Sequence, residues 1–89
     1  MGLELADKQF LRSVADLVVN NPELAKQFFN SPEIDGMDIF DPLLPLIEFL
    51  KAADEPIPME ELIELIKKIS DSEIKEIFIT ALNMSQKDA

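Results

Sequence analysis

The chain has 89 residues, an apolar content of 47% and a formal net charge of −10, which together predict one small globular domain. Because the sequence contains no Cys and no His, it excludes disulfides, thiolate or imidazole metal sites, the usual general base near neutral pH and the thiolate nucleophile. The strong negative charge disfavours direct binding to nucleic acid or to an anionic membrane surface.

These limits favour a binding function over a catalytic one. No apolar run approaches the length of a membrane span, and the N-terminus lacks the basic and apolar blocks of a signal peptide, so we expect a cytoplasmic protein. With only two Gly residues the chain also lacks a phosphate-binding loop. We therefore expect no enzyme activity, no catalytic residue, no cofactor and no metal.

Helical periodicity begins near the N-terminus. From Asp7 onward, apolar residues recur at intervals of three and four, which predicts a first helix over about 7–19 with Asp7 as its N-cap. Asn21 and Pro22 then provide a second N-cap and a first-turn proline. They predict a short second helix over about 22–29.

A third helix is predicted after an interrupted start. The start signal Ser31-Pro32-Glu33 is broken by Asp35-Gly36, so this segment is expected to form a turn at most. Asp41-Pro42 is a better start and predicts a helix over about 42–53. Pro45 is tolerated in this reading because the first turn of a helix contains N–H groups without an intrahelical acceptor.

The C-terminal half contains a stiff linker and two more helices. Two prolines make the segment 54–58 extended, and a helix is predicted after it. Ser70-Asp71-Ser72-Glu73 is interpreted as a capping box for the last helix. No segment alternates polar and apolar residues as a strand would. The predicted fold is an all-α bundle with four main helices (7–19, 42–53, 58–69 and 71–84) and a short helix (22–29), forming one domain over 1–84 with a frayed tail at 85–89.

The charge imbalance is concentrated in the stretch 31–64. This stretch holds ten acids and one base, Lys51, so it contributes −9 of the net −10 (ten negative charges less one positive). The same stretch contains the densest apolar run, from Ile39 to Leu50. Acidic and apolar residues in one segment indicate a surface that binds another macromolecule with a basic or apolar face.

The apolar run allows two interpretations. Its apolar residues surround the axis of the predicted third helix, so this helix is either the fully buried centre of the bundle or partly buried against a partner. Ile63 and Ile79 lie outside the main apolar stripes of their own helices, which favours a partner. That partner would be a second copy in a homodimer or another protein that supplies a helix.

The preferred hypothesis is a non-catalytic protein–protein interaction module, such as an adaptor, a docking domain or a small inhibitor. Apolar side chains would supply the binding energy, and the surrounding acids would steer a basic partner towards them. A variant of this hypothesis is an acidic inhibitor that mimics nucleic acid. The predicted partner-binding residues are Asp35, Asp38, Phe40, Asp41, Leu43, Ile47, Glu48, Leu50, Glu60, Glu61 and Glu64.

Two short motifs suggest an alternative class of function. Asp35-Gly36-Met37-Asp38 resembles the Asp-Ser-Leu-Asp attachment motif of acyl carrier proteins. Ile57-Pro58-Met59-Glu60-Glu61 resembles the Ile-Pro-x-Glu-Glu segment that precedes their short third helix. Because Gly36 takes the place of the attachment serine, and Pro42 and Pro45 interrupt the expected helix, the resemblance implies a carrier-like bundle without its phosphopantetheine arm.

The acids around Gly36 also have part of the spacing of an EF-hand calcium loop. With Gly36 at the sixth position, Ser31 takes the first position and Glu33 the third. Pro42 then occupies the twelfth position, where the motif requires a bidentate Glu. These acids are therefore interpreted as helix-capping and solvated turn residues, and no calcium site is predicted.

Overall fold

The computed structural model describes residues 4–34 and 36–87, with side chains through residue 85. Over these residues the chain forms five α-helices, one 3₁₀ helix and no strand, which confirms the predicted all-α bundle. The 3₁₀ helix, Asp38–Leu43, leads directly into the third α-helix. The α-helices are α1 (Leu5–Asn20), α2 (Pro22–Phe29), α3 (Leu44–Ala52), α4 (Met59–Lys67) and α5 (Ser72–Lys87).

The five α-helices enclose one apolar core. Each helix packs against the next one along the chain, and α5 returns to pack extensively against α1. Among the described side chains, none that is buried is polar or charged, so the packing rests on apolar burial. The largest fully buried side chains are Phe29, Phe78, Leu11, Leu43, Leu46, Leu50, Leu62, Ile66, Ile74 and Val18.

The start of α2 agrees with the prediction and the start of α1 does not. The Asn21 side chain caps α2 by accepting a hydrogen bond from the Leu24 backbone N–H at 3.3 Å. In contrast, α1 begins at Leu5, and Asp7 lies inside its first turn. An acid in the first turn is favoured by the helix dipole as well, so the residue type alone does not separate an N-cap from a first-turn position.

The third α-helix begins two residues later than predicted, because Pro45 lacks a backbone N–H. In a helix that began at Pro42, Pro45 would be the fourth residue, whose N–H is the first one that an α-helix needs. The structure instead has a 3₁₀ helix through Pro42 and begins α3 at Leu44, with Leu43 as N-cap. Pro45 is then the second helical residue, where a missing N–H has no cost.

The boundaries of the last two helices also differ from the prediction. α4 ends at Lys67. The next two residues close it with hydrogen bonds of the 3₁₀ type, which span three residues: the backbone N–H of Lys68 donates to the Leu65 carbonyl, and that of Ile69 donates to the Ile66 carbonyl. α5 is helical through Lys87, beyond the predicted end at residue 84. The part of the predicted frayed tail that the structure describes, 85–87, therefore belongs to α5.

The N-cap of α5 is Asp71 and not Ser70. The Asp71 carboxylate accepts hydrogen bonds from the backbone N–H groups of Glu73 at 3.0 Å and Ile74 at 3.1 Å. Its carbonyl accepts the first intrahelical bond, from Lys75 at 2.8 Å. A carboxylate that accepts two backbone donors is a stronger cap than a hydroxyl group, which explains why the helix starts one residue later than the predicted capping box.

Substitution of Asp71 and of Ser70 shows which of the two residues is the N-cap of α5. We expect Asp71→Ala to lower the free energy of unfolding by about 0.5–2 kcal/mol, because two N–H groups of α5 lose their acceptor. Ser70→Ala is the matched control and should change stability much less, since Ser70 lies outside the helix. Denaturant unfolding followed by circular dichroism measures both. Equal losses for the two variants would contradict the assignment of Asp71 as the cap.

Candidate partner-binding surface

The apolar residues that were predicted to contact a partner lie inside the core of the chain. Phe40 and Leu43 on the 3₁₀ helix, and Ile47 and Leu50 on α3, are all buried. In this conformation their side chains are covered by other parts of the same chain. The structure therefore supports the first interpretation of the apolar run, a central core helix, and these four residues do not form a free binding face.

Phe40 is buried because three other aromatic rings surround it. Its ring centroid lies 5.4 Å from that of Phe29, 5.7 Å from that of Phe10 and 6.5 Å from that of Phe28. The contacts with Phe28 and Phe29 are edge-to-face, at interplanar angles of 89° and 88°. Such pairs contribute about 0.5–1.5 kcal/mol each beyond the burial of their area. The cluster fixes the 3₁₀ helix against α1 and α2.

The acidic residues of the predicted surface are exposed on three elements. Asp38 and Asp41 lie on the 3₁₀ helix, Glu48 lies on α3, and the three glutamates lie on α4. Asp35, the remaining predicted residue, falls outside the described residues. The exposed members of the set are Asp38, Asp41, Glu48, Glu60, Glu61 and Glu64.

A shallow depression between α3 and α4 combines some of these acids with apolar side chains. It has a volume of about 470 Å³ and is lined by Phe49, Glu60, Glu61, Glu64 and Leu65. We call these five residues the α3–α4 surface. Phe49 and Leu65 are half-buried, whereas the three glutamates are exposed. The α3–α4 surface thus offers a small apolar floor surrounded by carboxylates.

The spacing of residues on α4 explains how the glutamates come together. Glu60 and Glu64 are four residues apart, as are Glu61 and Leu65, so all four lie on neighbouring parts of the helix surface. Glu60 and Glu61 are in the first turn, where the helix dipole favours acids. The opposite side of α4 carries the buried residue Leu62, so the glutamates have no place in the core.

The acids of the α3–α4 surface were predicted from the sequence, but its apolar floor was not. Helical periodicity places Leu65 on the buried stripe of α4, yet it lies at the edge of that stripe and is half-buried. Its position four residues after Glu61 was the available signal. Phe49 lies next to Glu48 in the sequence, but Glu48 does not line the depression. Asp38 and Asp41 do not line it either.

Two charged residues of α2 hold the linker that joins α3 to α4. The Lys26 ammonium group donates a hydrogen bond to the Ala53 carbonyl, just after α3. The Glu23 carboxylate accepts a hydrogen bond at 3.3 Å from the backbone N–H of Ile57, just before α4. Ile57 is itself buried. These contacts fix both ends of the linker, and therefore help set the position of α4 relative to α3 and the shape of the α3–α4 surface.

The segment around Gly36 shows why glycine occupies this position. Gly36 has a φ of +89°, in the left-handed region that side chains other than glycine rarely adopt. A serine here, as in the acyl carrier motif, would have a strained backbone even though there is open space for its side chain.

Among the described residues, no three acidic side chains are placed close enough together to hold a metal ion.

Neither a membrane-spanning helix nor a similar protein indicates the function of this chain. No helix in the described parts of the chain combines the length and the apolar character needed to cross a membrane. No protein-family model, curated protein or solved structure matches the chain.

Proposed function

We propose that this chain is a non-catalytic protein–protein interaction module that acts in the cytoplasm, and that its α3–α4 surface binds a basic amphipathic segment of a partner. One observation carries the proposal. Two half-buried apolar side chains, Phe49 and Leu65, lie beside three exposed glutamates in one depression. This arrangement has the acidic rim and apolar centre of a docking site, on a smaller set of residues than the sequence indicated.

The apolar floor would supply most of the binding energy. Aromatic side chains that become fully covered at an interface are typical binding hot spots, and Phe49 on α3 keeps part of its surface available for such a contact. Apolar contact contributes about 25 cal/mol for each Å² removed from water. A leucine, isoleucine or phenylalanine of the partner would pack between Phe49 and Leu65.

The glutamates would select the charge of the partner. All three charged residues that line the depression are acids, so a lysine or arginine near the bound apolar residue would meet a favourable field. The aliphatic stems of Lys and Arg can also cover apolar surface while their charged ends reach the carboxylates. A helix with an apolar stripe flanked by basic residues has both features. Because the surface is small, we expect transient binding with an affinity of about 1–100 μM.

A pair of synthetic peptides tests this proposal. The first peptide is a Leu/Lys/Arg sequence with an apolar stripe at helical spacing, and the second has the same composition in scrambled order, so that both carry the same charge. Fluorescence anisotropy titration of labelled peptides measures the affinity of each for the protein. We expect the amphipathic peptide to bind about tenfold or more tightly, because only it can place an apolar stripe on Phe49 and Leu65.

Phe49→Ala is the variant that links this difference to the site. It should reduce the affinity for the amphipathic peptide and leave that for the scrambled peptide unchanged. Leu44→Ala, on an exposed position of the same helix, is the matched control and should change neither affinity. Equal binding of the two peptides to the unmodified protein would mean that charge alone drives association, and it would refute a shaped docking site.

A further inference from the structure

A second depression lies between α1 and α5, on residues that the proposed function does not use. Its volume is about 420 Å³. We call it the α1–α5 groove. Residues from one face of each helix line it, namely Lys8, Arg12 and Asp16 of α1 and Glu73, Glu76, Ile77, Thr80, Ala81 and Met84 of α5.

The two helices run in the same direction along the groove. Lys8 and Glu73 form an ion pair, with 3.6 Å between the ammonium nitrogen and a carboxylate oxygen. The other residues that line the groove all follow these two in the sequence of their own helices. α1 and α5 therefore extend side by side from the Lys8–Glu73 end. From Glu73 to Met84 the groove extends for about 16 Å, at 1.5 Å per residue.

Exposed apolar side chains mark the two ends of the groove. Leu5 is 71% exposed and Met84 is 58% exposed, more than the other large apolar side chains in the described part of the chain. Leu5 lies three residues before Lys8 and therefore near the same face of α1. Met84 lines the opposite end. Thr80 and Ala81 between them are small, which permits close approach of a packed helix.

The charges along the groove are nearly balanced and change sign along α1. The groove is lined by two bases and three acids, in contrast to the ten acids and one base of the stretch 31–64. Two copies of an acidic chain repel each other through most of their surface. The α1–α5 groove is a face where that repulsion is small. Along α1 the basic Lys8 lies at one end and the acidic Asp16 at the other.

We infer that two copies of this chain associate through their α1–α5 grooves, related by a two-fold axis perpendicular to the groove. Such an axis reverses the direction of the second copy. Lys8 of each copy then faces Asp16 of the other, and Leu5 approaches Met84 of the other. Near the axis each groove holds Arg12 and Glu76, so the two copies together bring two charges of each sign to the centre of the interface and no net charge accumulates there.

The dimer is weak and independent of the α3–α4 surface. A face about 16 Å long covers less area than a standard interface of about 1,600 Å², so the dissociation constant lies in the range of about 0.1–1 mM. The interface places the α1 and α5 helices of the two copies together as a four-helix arrangement. Neither Phe49 nor the glutamates of α4 take part, so loss of the dimer and loss of partner binding are separate results.

A charge exchange between two variants tests the dimer. With Lys8→Glu, two carboxylates would face each other at each end of the interface, and with Asp16→Lys, two ammonium groups would do so. Each variant alone is therefore expected to dimerise at least about tenfold more weakly than the unmodified protein. In an equimolar mixture of the two, opposite charges can again face each other across the interface, so heterodimers are expected to form. Sedimentation equilibrium over a concentration series up to about 1 mM measures all of these samples at one salt concentration.

Two further variants complete the experiment. Glu48→Lys makes the same charge change as Asp16→Lys on an exposed position of α3, and it should retain self-association. Met84→Asp removes an exposed apolar contact and should weaken it. Circular dichroism checks that every variant is folded, as expected because the exchanged side chains are exposed. An unmodified protein that remains monomeric at the highest concentration, or a mixture that associates no better than its components, overturns the inference.

Discussion

Replacing Leu50 with alanine is expected to lower the free energy of unfolding by about 2–5 kcal/mol. Leu50 has 0% of its surface exposed and lies on α3, which packs against α2, α4 and the 3₁₀ helix. Truncation removes apolar contacts and leaves a cavity among side chains from several elements. Those elements are held by the linker contacts of α2 and by the aromatic cluster, so the cavity cannot simply collapse.

Leu44→Ala is the matched control for this experiment, because the same change is made in the same helix. Leu44 is 47% exposed, so its truncation should cost about 1 kcal/mol or less. Equilibrium unfolding in denaturant, followed by circular dichroism, compares the two variants with the unmodified protein. Similar losses for both, or a small loss for Leu50→Ala, would show that the apolar run does not form the centre of the core.

Reversing the charge of Glu64 is expected to slow the association of a basic amphipathic peptide by about tenfold. Glu64 lines the α3–α4 surface and its side chain is exposed, so the change acts on the approach of the peptide and not on folding. The dissociation rate should change less, because exposed charges at the rim of an interface mainly affect encounter. Stopped-flow fluorescence of a labelled peptide gives both rates.

Glu4→Lys makes an identical change of net charge on the exposed residue that precedes α1. It should reduce the association rate only slightly, since Glu4 does not line the depression and the field of a charge outside it is screened over about 10 Å at ordinary salt concentrations. The comparison separates a local site from a general effect of acidity. Equal effects of the two reversals would contradict a role for the α3–α4 surface and favour association with the acidic chain as a whole.

The existence and order of the helices could be predicted from the sequence, because helix-capping residues, prolines and apolar periodicity act locally. The boundaries were less predictable where two physical roles share one residue type. Asp7 fits an N-cap and a first-turn acid equally well, and both Ser70 and Asp71 can cap α5. The position of Pro45, in contrast, contains enough information to locate the start of α3. It excludes an α-helix that begins at Pro42, once the hydrogen bonds of the first turn are counted.

Whether the apolar run was core or interface could not be predicted from the sequence. The run is apolar on all sides of α3, and such a pattern fits both a central helix and a helix covered by a partner. The answer depends on tertiary contacts. Phe40 is buried by Phe10 and Phe28, which belong to two other helices. The sequence around each phenylalanine does not indicate that these rings are in contact.

The acids of the candidate site were predictable and its apolar floor was not. Glu60, Glu61 and Glu64 are exposed because carboxylates stay at the surface unless they are paired. Phe49 and Leu65 meet only because α3 and α4 pack side by side across the linker. That placement depends in part on hydrogen bonds between α2 and the backbone of the linker, which join residues 27 and 34 positions apart in the sequence.

The α3–α4 surface is tested most directly by a map of amide chemical shifts during titration of the amphipathic peptide into isotope-labelled protein. We expect the largest shifts at Phe49 and from Glu60 to Leu65, with smaller changes elsewhere. The scrambled peptide, at the same concentration, should leave these amides nearly unshifted. Shifts distributed over all acidic segments, or concentrated on the 3₁₀ helix around Asp38 and Asp41, would contradict the assignment of the α3–α4 surface as the docking site.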